Sequence, residues 1–402
     1  MATFYSTQIT ADTNERDISD YLAAVMYADQ KLIGQIPIGE AITDMSYMFE
    51  EETGIPLSIV GAGGYVSGGD HAFAPASAVG ALFLDVGTRL QNRRTNEVIA
   101  VSVAATDDAG TTMQVTQVTA GHDYTSGASN SAVNGDTWDI MYFPRVEGST
   151  KVGNKVKTPT VKHQMLQTFR WDISMTRDQQ MRNMHAISDF WGHNIALRTG
   201  ELKRGLLKAA LYGTWPNGYT AEADFATAMA YVASSPSTRP STMLGFRAAM
   251  VAAAGDLYEH TSQPISQALF NRLGAKFRNL GADNDSFEVW TSPTQAQKVS
   301  AFDQDKIRYD YPAGTKRGGY VNTYLSDLGV NFNINYDYGI MDSDMFVFSM
   351  DELSLNPFTG AAWFVKHYDS DFDGIEAAVI GEWMCLMRDA GRRHALVTAL
   401  TV

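Results

Sequence analysis

A single apolar stripe at helical spacing constrains the fold of this chain more than any other feature. From about residue 176 to residue 212, apolar residues recur at steps of three, four or seven. Thr176 and Gln179 form a capping-box pattern with Thr176 as the N-cap. The spacing predicts one helix over 176–212, which at a rise of about 1.5 Å per residue would be about 55 Å long. The stripe consists of Met184, Ile187, Trp191, Ile195, Leu202, Leu206 and Ala210.

Charged side chains occupy much of the remaining surface of this predicted helix. They make the segment too polar to cross a membrane, and the stripe lacks the strict heptad spacing of a coiled coil. We therefore expect a long helix that packs one face against a globular domain. The charged residues are Arg177, Arg182, Asp189, Arg198, Glu201, Lys203, Arg204 and Lys208.

Residues 80–147, before the helix, have an all-β pattern. Two stretches rich in β-branched residues, 98–103 and 112–118, flank a loop that contains Gly110, which predicts a hairpin. A second turn at 134–136 leads into alternating apolar residues. Short strands at this spacing predict a small barrel or a long β-excursion.

The chain after the helix has an α/β pattern that gives way to strands. A linker rich in Ala, Ser, Thr and Pro occupies about 219–241. Ser292, Pro293 and Gln295 have the residue types of an N-cap, N1 and N3. The predicted elements are helices near 242–258 and 265–280, a strand at 287–290, a helix from Pro293, and strands at 330–336, 345–349, 361–366 and 375–388.

Composition excludes several classes of protein. The 402 residues contain 31 Lys and Arg against 45 Asp and Glu, a net charge of −14, which argues against sequence-independent binding to nucleic acid. The first 17 residues lack the pattern of a secretory signal, and no apolar run approaches the length of a membrane span. The single cysteine, Cys385, excludes an intrachain disulfide and lies in an apolar run, so we predict an inert core thiol.

No catalytic motif is present, and one possible metal motif is incomplete. The chain has no G-x-S-x-G elbow, Walker loop or H-E-x-x-H pattern. Residues 369–374 read D-x-D-x-D-G, the opening of a calcium loop, but Ile380 occupies the twelfth position, where a bidentate Glu is required. We predict no catalytic residue, cofactor or metal site, and an acidic turn that faces solvent or a basic neighbour.

Three stretches, taken in order, carry a family resemblance. The first runs from residue 167 through the long helix to Gly213. The second is the strand–proline–helix unit at 287–302, and the third joins 338–346 with 381–388. Preceded by an extended arm and a β-excursion, they resemble the major capsid proteins of tailed phages with the Hong Kong 97-type fold. The similarity is greatest to the subgroup whose extended loop carries a small β-domain, and it covers nearly the whole chain.

The resemblance implies an α+β fold with a long spine helix, an axial α/β domain and an extended loop carrying a small β-insertion. The implied domains are an N-terminal arm at 1–56, an extended loop at 57–165 with its β-insertion at about 80–147, a peripheral domain at 166–239 with the spine helix at about 176–212, an axial domain at 240–335, and closing strands of the peripheral domain at 336–402.

The resemblance also implies a function. The protein would be a major capsid protein and not an enzyme, forming hexamers and pentamers of an icosahedral shell around a double-stranded DNA genome. It would be assembled in the host cytoplasm and found in the virion. Its partners would be itself, a portal, and scaffolding or decoration proteins, with DNA enclosed without sequence-specific binding and with no membrane contact.

Charge suggests where subunits would meet. Residues 148–171 contain no acidic residue, so this basic stretch is either a solvated strand or a surface for an acidic partner. The acidic turn at 369–374 of an adjacent subunit is one such partner. The candidate inter-subunit contacts are Lys151, Lys155, Lys157, Lys162, Asp369, Asp371 and Asp373.

Two other functions stay open from the residues alone. An encapsulin-like compartment shell would have the same broad fold. A carbohydrate-active enzyme could use the β-region as a binding module, with Trp138, Tyr142 and Phe143 as its aromatic residues.

Overall fold

The structure is a computed structural model that describes most of the chain in separate stretches. These are residues 31–51, 58–61, 70–73, 84–103, 113–119, 135–142, 147, 160–181, 189–236, 238–253, 257–282, 286–301, 323–369 and 373–401. The chain divides into two compact units. We call Glu50–Val161 the inserted unit, and Met1–Phe49 with Lys162–Val402 the main unit. The sequence of the arm also predicts one short helix around 17–28, and these residues lie outside the described stretches.

The described residues form seven α-helices and eighteen strands, and all the elements between the first two α-helices are strands. The helices are α1 (Lys31–Gln35), α2 (Arg177–Met181), α3 (Phe190–Tyr212), α4 (Phe225–Ala233), α5 (Phe246–Ala253), α6 (Gln267–Asn279) and α7 (Pro293–Ala301). The strands are β1 (Ser46–Glu51), β2 (Ser58–Val60), β3 (Asp70–Phe73), β4 (Arg89–Asn92), β5 (Val98–Val103), β6 (Met113–Thr119), β7 (Thr137–Tyr142), β8 (Thr160–Met165), β9 (Gln167–Thr176), β10 (Tyr258–His260), β11 (Ser286–Thr291), β12 (Thr323–Leu325), β13 (Asn331–Tyr336), β14 (Met345–Phe348), β15 (Leu353–Pro357), β16 (Phe364–Tyr368), β17 (Gly374–Met387) and β18 (Ala395–Thr398). β1 pairs with β8 in a two-stranded sheet.

The inserted unit is an antiparallel sheet that curls on itself. Its strands follow the order β2-β7-β4-β5-β6-β3, and β5 with β6 is the predicted hairpin. Three strands separate β7 from β3, yet the rings of Trp138 and Phe73 meet with centroids 5.6 Å apart. Curling buries the apolar side chains in one small core, which agrees with the predicted barrel. The core contains Ile59, Phe73, Leu84, Leu90, Ile99, Val101, Val115 and Trp138.

A buried carboxylate fixes the turn that opens β7. Gly135 has a φ of 91°, which favours glycine, and it confirms the predicted turn. The next residue, Asp136, is buried and accepts hydrogen bonds from Asn92 Nδ2 at 2.9 Å and from Arg94 Nε at 2.8 Å. These charge-assisted bonds compensate the desolvation of the carboxylate and connect β7 to the end of β4.

The main unit contains a sheet built around one long strand, which we call the β17 sheet. β9 pairs with one edge of β17, and β15 and β16 pair with successive parts of the other edge. Odd-numbered β17 side chains such as Val379 and Cys385 join a core with Leu202 and Leu206 of α3. Even-numbered Met384 lies in a separate cluster with Ile42 and Leu166. Each face of β17 is therefore covered by a different part of the chain.

The second sheet of the main unit, which we call the mixed sheet, has the order β10-β18-β14-β11-β13-β12. Parallel pairs join β11 to β13 and β10 to β18, and the other neighbours are antiparallel. Leu273 and Phe277 of α6 pack on Phe287 and Phe332 of the sheet. β14 and β18 come from the range 336–402, so the sheet crosses the predicted boundary at 335/336.

The prediction of one continuous helix over 176–212 is wrong. α2 begins after Thr176, whose N–H donates to Gln179 Oε1 at 3.4 Å, as one half of the predicted capping box. Asp189 then has a non-helical φ of −125°, and its Oδ1 accepts from the N–H of Gly192 at 2.9 Å. This new N-cap starts α3, which has 23 residues. α3 buries Leu202, Leu206 and Ala210 of the predicted stripe in the core, whereas Met184 and Ile187 lie outside the described residues.

Two predicted helix boundaries are confirmed by their caps, and one helix is shorter than predicted. Ser266 Oγ caps α6, and Gly281 follows it with a φ of 75°. Ser292 Oγ accepts from the N–H of Gln295 at 3.4 Å, at the start of α7. The helix expected over 242–258 is only α5, because Tyr258 begins the strand β10.

His394 is buried between the mixed sheet and the turn at 388–393, which we call the C-terminal turn. Its Nε2 lies 3.0 Å from the carbonyl oxygen of Arg388, and its Nδ1 accepts from the N–H of Ser349 at 3.4 Å. One ring nitrogen thus donates and the other accepts, which requires neutral imidazole. Burial lowers the pKa of His394 to about 3.

We expect Asp189→Ala to destabilise the main unit by about 1 kcal/mol, because the N-cap bond to Gly192 is lost. Asp189→Asn keeps a capping oxygen and should stay within a few tenths of a kcal/mol of the parent. Urea unfolding followed by circular dichroism measures both changes. Equal stability of the alanine variant and the parent would contradict the assigned cap.

We expect acid to destabilise the fold through His394. In the unfolded state the imidazole of His394 is protonated below about pH 6.5, whereas in the folded state it stays neutral down to about pH 3. The free energy of unfolding therefore falls as the pH decreases from about 6.5 to about 3. The largest slope from this one group is about 1.4 kcal/mol per pH unit. Urea unfolding at pH 7, 6, 5 and 4 measures the loss.

Two variants assign this acid response. His394→Asn should flatten the pH dependence while lowering stability at pH 7, since a buried hydrogen bond is disturbed. His367→Asn, at an exposed position of β16, should keep the slope of the parent. The assignment fails if the His394 variant and the parent lose stability in parallel.

Candidate functional site

The face of β9 that lies towards α3 carries a partly exposed tryptophan. Trp171 is 42% exposed, and the guanidinium of Arg198 lies over its ring at 4.7 Å from the centroid. Arg198 Nη1 also donates to Glu201 Oε2 at 2.6 Å. The ion pair lies within α3 and orients the guanidinium. The cation–π contact joins α3 to β9 and leaves one side of the indole open.

The opposite face of β9 is polar and fully exposed. Arg170 Nε donates to Asp172 Oδ1 at 2.8 Å, and the same guanidinium lies over the ring of Tyr368 at 5.5 Å. The bond to Asp172 raises the pKa of Arg170. The two charges neutralise each other on the strand, so this face offers hydrogen-bonding groups and little net charge.

Three of the seven predicted contact residues lie in the described part of the chain. Lys162 is on β8, partly exposed, and Asp369 and Asp373 flank the turn between β16 and β17. Asp373 is 78% exposed, with Nη1 of Arg177 3.9 Å from its carboxylate. Within the described stretches no ion pair joins Lys162 to Asp369 or Asp373. The remaining four, Lys151, Lys155, Lys157 and Asp371, lie outside the described residues.

The D-x-D-x-D-G sequence lies between β16 and β17, and its residues 370–372 are outside the described residues. β17 begins at Gly374, immediately after the last aspartate, and Tyr368 pairs with Glu376 across the hairpin. Ile380, at the twelfth position of the calcium pattern, lies within β17 and is 8% exposed. No group of three or more His, Cys, Asp or Glu side chains that could hold a metal ion occurs among the residues described.

Cys385 is a core thiol, as predicted. It is buried on β17, and burial raises its pKa to about 12, so the reactive thiolate does not form near neutral pH. Its neighbour Gln164 donates from Nε2 to the carbonyl oxygens of Leu244 and Cys385, both at 2.8 Å. Gln164 Oε1 accepts from the N–H of Leu244 at 2.8 Å. Gln164 therefore fixes β8 against β17.

Backbone hydrogen bonds attach residues 37–42, which we call the arm segment, to the β17 sheet. The N–H of Gly39 donates to Leu355 O at 3.0 Å, and the N–H of Ile42 donates to Pro357 O at 2.9 Å. Further towards the N-terminus, Asp337 Oδ2 accepts from the N–H of Leu32 at 3.1 Å. Sequence reasoning gave no role to Asp337 or Gln164. The groups that they join to their own elements lie far away in sequence, at Leu32 for Asp337 (305 residues) and at Leu244 and Cys385 for Gln164 (80 and 221 residues).

Large apolar side chains are exposed at several places on the described surface. Leu325 (67%) ends β12 and Leu328 (53%) lies in the turn that follows it, and Tyr338 (65%) and Met341 (50%) share another loop. Single exposed apolar residues are ordinary, but neighbouring pairs mark surfaces that bury against a partner. No helix in the described stretches is long and apolar enough to cross a membrane.

Comparison with known proteins identifies the family. The SU10 major capsid protein family matches residues 6–401 of the chain. No curated protein sequence matches this chain.

Three solved structures are similar over nearly the full length. The capsid asymmetric unit of cyanophage A-1(L) has a TM-score of 0.51 at 10% identity, covering 99% of this chain and 100% of that one. The capsid of an empty GTA particle gives 0.49 at 9% identity, with 99% and 100% covered. Microbacterium phage Oxtober96 gives 0.48 at 9% identity, with 99% of each chain covered. At these identities similarity establishes fold alone, and of these three the cyanophage capsid has a TM-score above 0.5.

The family match decides between the functions that the residues left open. It spans nearly the whole chain, and its members are structural capsid proteins, so it supports neither an enzyme with a β binding module nor a cargo compartment. The chain belongs to the SU10 major capsid protein family: it is a structural subunit, with the α+β fold of the Hong Kong 97 type, of the icosahedral shell of a tailed-phage virion.

Proposed function

We propose that this subunit forms the hexamers and pentamers of the shell. In this proposal the main unit is the body of the subunit, and the inserted unit adds contact area between subunits. The observation that carries the proposal is that Glu50–Val161 forms a compact unit with its own apolar core. A loop that carries a folded unit adds contact area to subunit interfaces, which need about 1,200–2,000 Å² in total to be stable.

The division of the chain follows from this proposal. Residues 1–56 are the arm, and 57–165 are the extended loop with its β-insertion, the subgroup feature. The β17 sheet with α3 is the peripheral domain, within 166–239 and 336–402. The mixed sheet with α6 and α7 is the axial domain, built mainly from 240–335 with β14 and β18 added. The arm segment supports the first assignment, because it lies extended along β15.

The net negative charge of the chain supports a shell that encloses DNA without binding it tightly. With a net charge of −14, the subunit lacks the Lys and Arg excess needed to hold phosphates without regard to sequence. A shell of such subunits encloses DNA without condensing it. Portal and scaffolding or decoration proteins are the further partners of the proposal.

Opposite charges support one contact between subunits. In this contact the basic residues Lys151, Lys155, Lys157 and Lys162 of one subunit meet the acidic turn Asp369, Asp371 and Asp373 of its neighbour. The carboxylate of Asp373 is largely solvated, and its 3.9 Å pair with the exposed Arg177 is weak, so it is available to a stronger partner.

The first test is the assembly of the purified full-length chain. We expect closed shells with six- and five-fold capsomers in negative-stain images, and a fast-sedimenting species in analytical ultracentrifugation that grows with concentration. A chain that is folded by circular dichroism yet monomeric at every concentration would contradict the proposal.

The second test reverses charge in the basic stretch. We expect Lys155→Glu with Lys157→Glu to raise the assembly threshold at least about tenfold at low salt, since attraction becomes repulsion, and to have less effect at high salt, where charges are screened. Combining this pair with Asp371→Lys and Asp373→Lys should restore assembly. Light scattering against concentration measures the threshold.

A matched control uses a lysine outside the proposed contact. Lys203→Glu changes charge at an exposed position of α3 and should assemble like the parent. Unchanged thresholds for the Lys155 and Lys157 variant at both low and high salt would remove the proposed contact.

A further inference from the structure

β9 is an edge strand of unusual length. All ten of its residues pair with β17 in one continuous register, from Thr176 opposite Gly374 to Gln167 opposite Trp383. In the described part of the chain no strand pairs with the other side of β9. Strands average about 5–6 residues, so this is a long row of backbone groups without a partner strand.

The phase of the hydrogen bonds shows which groups face outward. The N–H of Arg177 donates to the carbonyl oxygen of Asp373 at 3.0 Å, in register with the β9–β17 ladder. In an antiparallel pair every second residue exchanges bonds with its partner, so the odd-numbered residues of β9 bond to β17. On the other side of β17, Phe358 donates to Glu382, an even-numbered residue, which agrees with this phase.

The even-numbered residues of β9 therefore direct their N–H and C=O groups to the open edge. They are Thr168, Arg170, Asp172, Ser174 and Thr176, all of them exposed. The N–H of Thr176 already donates to Gln179 Oε1. The other four N–H groups have no acceptor in the described structure.

The usual protections of an edge strand are absent from β9. It contains no proline, its register with β17 has no bulge, and its two charges, Arg170 and Asp172, pair with each other at 2.8 Å. Soluble proteins normally block an edge of this kind, because it accepts a strand from another chain. The open side of Trp171 gives an incoming strand an apolar surface on the α3 side.

The opposite edge of the same sheet already binds an extended segment in this way. The arm segment lies parallel to β15, with the N–H of Leu355 donating to Pro37 O at 2.9 Å and the N–H of Gly39 donating to Leu355 O at 3.0 Å. Side chains add to this attachment, since Asn356 Nδ2 donates to Glu40 O at 2.8 Å and Ile42 is buried with Met384. The β17 sheet is thus extended at its β15 edge by a segment that belongs to none of its strands.

We propose that the open edge of β9 accepts an extended segment from a second copy of this chain as an additional strand. Copies of this family associate with one another in the shell, which places many identical chains beside each edge. The added strand takes up the outward N–H groups, packs an apolar residue on Trp171, and turns polar residues towards the Arg170–Asp172 pair. The inference deepens the proposed shell contacts and rests on them.

Amide hydrogen exchange of the full-length parent tests this directly. In dispersed subunits, the amides of Thr168, Arg170, Asp172 and Ser174 should exchange freely while Phe169 and Ile173 are protected. In assembled particles the even-numbered amides should exchange at least about tenfold more slowly. Unchanged exchange on assembly would overturn the proposal. Protection already present in dispersed subunits would do so too, because a segment of the same chain would then occupy the edge.

A proline variant tests the need for the edge. Ser174→Pro removes one outward N–H, which an edge strand tolerates, and leaves the bonds of odd-numbered residues to β17 in place. We expect it to keep the unfolding midpoint of the parent and to raise the assembly threshold at least about tenfold. Ser174→Ala loses the same hydroxyl but keeps the N–H, and should assemble like the parent.

The outcomes separate this inference from the proposed function. If the parent forms shells and Ser174→Pro, folded, forms them at the same threshold as Ser174→Ala, the edge contact is wrong and the shell proposal stands. If the parent forms no particles at any concentration, the shell proposal fails and the edge contact with it. If the proline variant does not fold, the exchange data of the parent decide.

Discussion

The burial of β17 on both faces is the constraint on which the main unit depends. Its odd-numbered side chains need the apolar stripe of α3, and its even-numbered side chains near the C-terminal end need Ile42 and Leu166. Because side chains alternate along a strand, a register shift of one residue would expose both sets at once. The long strand therefore fixes β9, β15, β16, α3 and the arm segment relative to each other. Gly381 shows how close the packing is, since a methyl group there would overlap the ring of Trp363.

Buried polar side chains fix the positions of segments that apolar packing alone does not determine. Gln164 joins β8 to β17, Asp337 joins α1 to the end of β13, and His394 holds the C-terminal turn. Each binds at least one backbone group that is distant in sequence, at Leu244 and Cys385 for Gln164, at Leu32 for Asp337 and at Ser349 for His394. Such bonds add little net stability but are costly to break, because the group left behind would be buried without a partner. They select one arrangement of loops around the same core.

Sequence patterns predicted correctly those helices and turns that are determined by residues close together in the chain. The bounds of α6, the N-cap of α7 and the β5–β6 hairpin depend on residues a few positions apart, and they agree with the structure. The helix over 176–212 failed because apolar periodicity does not show that Asp189 caps a new helix. Gln164 and the open edge of β9 could not be found in this way, since both depend on which strands meet. The charged contact residues followed from composition, and most of them lie beyond the described part of the chain.

The attachment of the arm segment has a consequence for how the subunit can vary without unfolding. Odd-numbered β15 residues bond to the arm, whereas the residues that bond to β17 are even-numbered, as at Phe358 and Glu382. The two ladders are therefore separable, and releasing residues 37–42 would leave β15 paired with β17. Identical chains in a closed shell occupy positions with unequal surroundings. A segment that detaches at the cost of a few hydrogen bonds and of the burial of Ile42 lets one sequence meet those differences while β15 stays paired with β17.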